Sequence, residues 1–126
     1  SAPSFPLLRR DALAAERHNR LHPDAREPQV PHISTVLGGD GGPIVVATDW
    51  LKALPDMVAR WVPEPYTTLG TDGFGRSDTR ENLRRFFEVD RHAIAVAALD
   101  ALVDARKAEA IKRYGMDPDS EAPWTR

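Results

Sequence analysis

A chain of 126 residues and 14.0 kDa suffices for one domain and is too short for two with separate cores. Apolar residues at 41% and charged residues at 29% exclude wholesale disorder, and the longest apolar run is far below a membrane span. Seventeen Lys and Arg against 19 Asp and Glu leave a net charge of −2, which gives no long-range field for nucleic acid or anionic lipid, and the lack of cysteine removes disulfides, thiolate nucleophiles and sulfur-ligated zinc. Residues 1–6 are uncharged, short and run into a charged helix, so the cytoplasm is the expected compartment.

The first predicted element is a helix over residues 5–18. Ser4 and Pro6 stand where an N-cap and a first-turn proline belong, and Leu7, Leu8, Ala12 and Ala15 share one face. Residues 19–42 carry Pro23, Pro28 and Pro31 plus Gly38, Gly39, Gly41 and Gly42, which predicts a long extended loop. Val30, Ile33, Val36 and Leu37 are its expected anchors. The run Ile44, Val45, Val46 and Ala47 predicts a strand buried on both faces, hence covered by helices on both sides. A second helix is expected from a cap at Thr48 or Asp49, with Leu51, Leu54, Val58, Trp61 and Val62 at helical spacing, Pro55 near its first turn, and Trp50 and Trp61 buried. After Pro63 and Pro65, residues 66–69 predict a second strand and residues 70–75 a glycine loop.

A further helix follows, capped by Ser77 or Asp78. Glu81 can close a capping box with Asp78, and Leu83, Phe86 and Phe87 supply the apolar face. Asp90 caps the next helix, whose apolar residues, Ile94, Val96, Leu99 and Leu102 among them, cover most of its circumference and predict enclosure by other protein. A last helix over 108–114 ends at Gly115 and Pro118, and the tail over 116–126 is expected to be loosely held. This order of helices and strands predicts an α/β fold with parallel strands. Two short strands leave ladder groups unpaired, so the rest of the sheet is expected on sequence outside these residues.

The strongest local signal for chemistry is Gly70, Gly73 and Gly75 between a strand and a capped helix, a layout that places phosphate oxygens on backbone amides. Asp72 and Asp78 put carboxylates where that charge would go, no Lys follows the last glycine, and the spacing misses the dinucleotide fingerprint. A structural turn is therefore expected, with Asp78 satisfying the helix amides. Asp72, Phe74, Arg76 and Asp78 are candidates for lining a cleft or an interface. His18 and His22 are four apart, with His32 a conceivable third ligand, but no acidic base lies between the first two and a loop-fixing role is expected. His92 reads as a surface residue. Arg84 and Arg85 beside Glu81 and Glu88, and Asp104 with Glu109, read as helix-surface charge. No serine sits in a nucleophile elbow. No catalytic residue, cofactor ligand or metal ligand is assigned to this chain.

Several of these stretches carry a family likeness. ATDWLKALP at 47–55, RWVP at 60–63 and YTTLGTDGFGRSDTRENLRRFFEVD at 66–90 resemble the C-terminal end of the homodimeric pyruvate dehydrogenase decarboxylating component. Arg17, His18, Asn19, Leu21, His22, Pro23 and Pro31 match the segment before it. The similarity spans residues 1–115, and GTDGFGRSD followed by ENLRRFFEVD is its most specific part. The resemblance implies a transketolase C-terminal-like, three-layer α/β domain with a mostly parallel sheet, its first strands missing here. Residues 1–115 would form that partial domain and 116–126 the C-terminal tail.

The resemblance further implies that the chain is a fragment of a larger oxidoreductase, or one subunit of a split form of it, and inactive alone. That enzyme would decarboxylate pyruvate on thiamine diphosphate with magnesium and transfer the acetyl unit to a lipoyl group. Its first and middle domains would hold cofactor and metal, with none expected on this chain alone. Expected partners are those N-terminal and middle domains or sister subunits in a homodimeric assembly, and the lipoyl acetyltransferase component, with neither nucleic acid nor membrane. Two other readings stay open: a separately encoded subunit of a thiamine-dependent, transketolase-like enzyme that forms acyloins or transfers ketol groups, and a non-catalytic protein-binding module acting through residues 72–78.

Overall fold

The computed structural model describes residues 4–39 and 41–125. The chain forms two compact units, residues 1–42 with 53–65, and residues 43–52 with 66–126.

In the first unit α1 (Phe5–Leu21) extends three residues past its expected end. Ser4 stands at the N-cap without a side-chain cap bond, and Pro6 occupies the first turn, where its missing N–H costs nothing. Ala12 and Ala15, on one face, are its buried residues. A short helix, α2 (His32–Leu37), lies inside the expected extended loop. Of the four expected anchors only Ile33 is buried, while Val30 is 63% and Val36 59% exposed. Polar bonds do the anchoring instead. The Asn19 side chain accepts from Gln29 N at 2.8 Å and donates to Gln29 O at 2.9 Å, and Asp11 accepts from His32 N at 2.8 Å.

The single helix expected after the first strand is two pieces, α3 (Ala53–Asp56) and a 3₁₀ turn at Ala59–Trp61. Pro55 has no N–H to donate to an earlier turn, so the helix starts late. It tightens at once, Val58 N donating to Pro55 O and Trp61 N to Val58 O. Pro55 and Val58 are fully buried. Trp61 is half-buried and donates its indole N–H to Glu16 at 2.8 Å, which also pairs with Arg60 at 2.8 Å.

The second unit carries the sheet. β1 (Ile44–Ala47) and β2 (Tyr66–Leu69) pair in parallel with Ile44 opposite Tyr66 and Ala47 opposite Leu69. The pairing continues beyond the strands, as Thr48 N donates to Leu69 O at 3.0 Å and Thr71 N to Trp50 O at 2.9 Å. Among the described residues the sheet is two strands wide and packs against α5 (Arg91–Ala101). This agrees with an incomplete α/β domain. β1 is half-buried rather than buried on both faces, and Ala93 is the one buried residue of α5, against the expectation of an enclosed helix. Trp50, expected in a helix core, is 72% exposed in the turn after β1.

α4 (Arg80–Phe86) is capped by Thr79, whose hydroxyl accepts from Asn82 N at 3.3 Å, not by Ser77 or Asp78. Asp90 caps α5 as expected, accepting from His92 N at 3.0 Å and Ala93 N at 2.9 Å. α4, α5 and α6 (Lys107–Arg113) all end in the same double bond, exemplified by Met116 N to Ile111 O and Gly115 N to Lys112 O. The residue after each C-cap has positive φ: Glu88 at 56°, Val103 at 54° and Gly115 at 62°. The tail expected to be loosely held is pinned near its end, where Pro123 is buried and Lys52 Nζ lies 4.6 Å from the centre of the Trp124 ring, while residues 117–121 are exposed. Among the described residues no helix is long and apolar enough to cross a membrane.

Candidate functional site

In open parallel α/β sheets, ligands bind in the crevice outside the carboxyl ends of the strands. Here β1 ends at Ala47, leading to Thr48 and Asp49, and β2 ends at Leu69, leading to the glycine loop, so every candidate residue in the second unit must be placed relative to that edge.

Gly73 shapes the loop. Its φ is 119°, and a Cβ there would sit 2.7 Å from Pro123 O, so the loop closes against the tail through the absent side chain. Asp72 accepts from Lys52 N at 3.3 Å, tying the loop to the turn after β1. Phe74 is 81% exposed. The Arg76 guanidinium lies 4.1 Å from the centre of the Phe86 ring. Asp78 accepts from Thr79 N at 2.7 Å and Asn82 Nδ2 at 2.8 Å, and the Asn82 bond is the main reason its carboxyl sits below its usual range. Phe74, Arg76 and Asp78 line one shallow groove of about 500 Å³, which Asp72 does not reach.

A larger groove of about 810 Å³ opens beyond β1, with Asp49, Arg80, Arg84, Arg85 and Arg91 in its walls. Arg84 does not pair along its own helix as expected. Its Nε and Nη2 donate to the two oxygens of Asp49 at 3.1 and 2.7 Å, a bidentate pair spanning 35 residues. That pair holds Asp49 below, and Arg84 above, their ordinary pKa values. Sequence spacing could not join residues so far apart. The available signal was the position of Asp49 at a parallel strand's carboxyl end.

His92 is half-buried rather than on the surface, stacked on Tyr114 with ring centres 4.5 Å apart and Nδ1 3.4 Å from Asp90. His18 and His22 also stack, at 4.1 Å, with His22 Nδ1 2.9 Å from His18 O. Among the described residues no group of three His, Cys, Asp or Glu is arranged to hold a metal. The glycine loop does not suit a diphosphate either, because Asp72 and Asp78 put two carboxylates on it, Asp78 held there by Thr79 N and Asn82 Nδ2. The chemistry these side chains can perform is charge recognition and packing.

Residues 1–90 match the transketolase-like TK C-terminal domain. The chain is similar to pyruvate dehydrogenase E1 components: 50% identical to that of Pseudomonas aeruginosa, 46% to that of Cupriavidus necator and 44% to that of Escherichia coli K12, each over 98% of this chain. These alignments cover 15%, 14% and 14% of the relatives, so the chain spans about a seventh of their length. The matching region is their C-terminal part.

Proposed function

The chain belongs to the transketolase-like C-terminal domain family, and on that premise we propose that it is the C-terminal scaffold segment of a pyruvate dehydrogenase E1 component. The observation that carries this is the 50% identity across 98% of the chain to the E1 component of Pseudomonas aeruginosa. The enzyme it serves decarboxylates pyruvate on thiamine diphosphate and passes the acetyl unit to a lipoyl group. Cofactor and magnesium belong to the rest of that protein, a reading supported by the two carboxylates, Asp72 and Asp78, that the glycine loop carries where a phosphate would sit. This segment's work is to continue the parallel sheet, to support a homodimeric assembly in the cytoplasm and to help shape the approach to the reaction centre.

The test uses the full-length protein. Pyruvate turnover is followed with and without a lipoyl acceptor, and assembly by light scattering, for the native sequence and for Gly73→Val. The expected result is lipoyl-dependent acetyl transfer by the native dimer, and a parallel loss of dimer and turnover in the variant, with thiamine diphosphate affinity of the residual dimer unchanged. Acyloin formation without use of the lipoyl acceptor, or a fully assembled variant that has lost only cofactor affinity, overturns the proposal.

A further inference from the structure

We propose that the groove beyond the carboxyl end of β1 is an anion site for the phosphate group of a small metabolite, held by Arg80, Arg85 and Arg91 around the Arg84–Asp49 pair. The site is made of this chain's own residues and does not depend on the enzymatic reading above.

Charge supplies the first argument. Four arginines and three carboxylates, Asp49, Glu81 and Asp90, line the groove, but two of the carboxylates are already committed. Asp49 is held by both donor nitrogens of Arg84, and Asp90 is engaged by the first amides of α5. Glu81 is left against three guanidinium groups. Among the described residues no ion pair is formed by Arg80, Arg85 or Arg91, and Arg91 donates only to the ring nitrogen of His92, at 3.3 Å.

Position supplies the second. Arg80 and Arg91 are the first residues of α4 and α5, where the helix dipole disfavours a cation, so local folding gives no reason for either charge. Both occur at the edge of the sheet where parallel folds take their ligands. The doubly bonded Arg84 is a fixed post between them, already ordered before any ligand arrives. Three forked donors approaching from two helices exceed what one carboxylate can accept. They suit a group with about two negative charges and three acceptor oxygens.

The test is calorimetric titration of the full-length protein carrying this chain with inorganic phosphate at constant ionic strength, with malonate and chloride as parallel arms. Saturable phosphate binding is expected, weakened about tenfold or more in Arg85→Ala/Arg91→Ala and partly restored in Arg85→Lys/Arg91→Lys. Arg106→Ala, at a surface pair with Asp104 outside the groove, should leave it unchanged. Indistinguishable signals from phosphate and chloride, malonate binding as tightly as phosphate, or an affinity indifferent to the double alanine substitution overturns the assignment.

Discussion

Val103 holds φ at 54° while 92% of it is exposed, so a β-branched side chain sits in the left-handed region with no packing in return. Its equivalent after α6 is Gly115, the residue that position favours. Removing left-handed strain is worth about 1–2 kcal/mol, and the greater freedom of glycine when unfolded takes back about 0.5–1 kcal/mol. Val103→Gly should therefore stabilise the protein by about 0.5–1 kcal/mol, read as a higher urea midpoint at unchanged slope. The next residue, Asp104, is paired with Arg106, whose hydrogen bonds lower its carboxyl pKa from 3.8 to about 2. A depressed folded-state pKa means that the unfolded chain takes up the proton first as pH falls. The pair's contribution is present above about pH 4 and lost towards pH 2. Arg106→Ala should flatten the acid limb of a stability titration across that window. The caps show what is legible at this scale. Asp90 was readable because one side chain at one offset suffices, whereas Ser77, Asp78 and Thr79 all offer an oxygen and only backbone geometry selects Thr79.

At the scale of elements, helix α5 depends on its cap. Asp90→Ala leaves two first-turn amides without their acceptor and should cost about 1–2 kcal/mol, measurable by thermal unfolding of the full protein. The glycine loop depends on its fit to the tail. Gly73→Val meets Pro123 O and demands φ of 119°, which together should cost about 1–3 kcal/mol and free Pro123 and Trp124. Limited trypsin digestion should then cut faster after Arg76 than in the native protein. Both strands, the glycine loop and four of the helices could be read from local pattern. The late, broken α3 and the short α2 could not. In each, proline placement and distant polar partners such as Ser34 with Trp61 O override the apolar spacing. The same limit hid the larger groove, since the Asp49–Arg84 pair exists only after β1 and α4 are brought together.

At the scale of the whole molecule, the two-stranded parallel sheet of the described residues and a helix of continuous apolar composition with one buried residue make up part of a domain. The family assignment gives the reason. This incompleteness was legible in the sequence as an apolar strand without enough neighbours, because backbone bonds must be satisfied whatever the fold. Which surfaces the remaining protein covers was not, since that depends on residues elsewhere. The reciprocal amide bonds between Asn19 and Gln29 have a practical corollary. They tether both ends of a solvated stretch, residues 22–30, in which every side chain is exposed. Foreign sequence spliced in after Asp24 would leave both tether points in place, so this is where an epitope or fluorophore tag should be displayed without loosening α1.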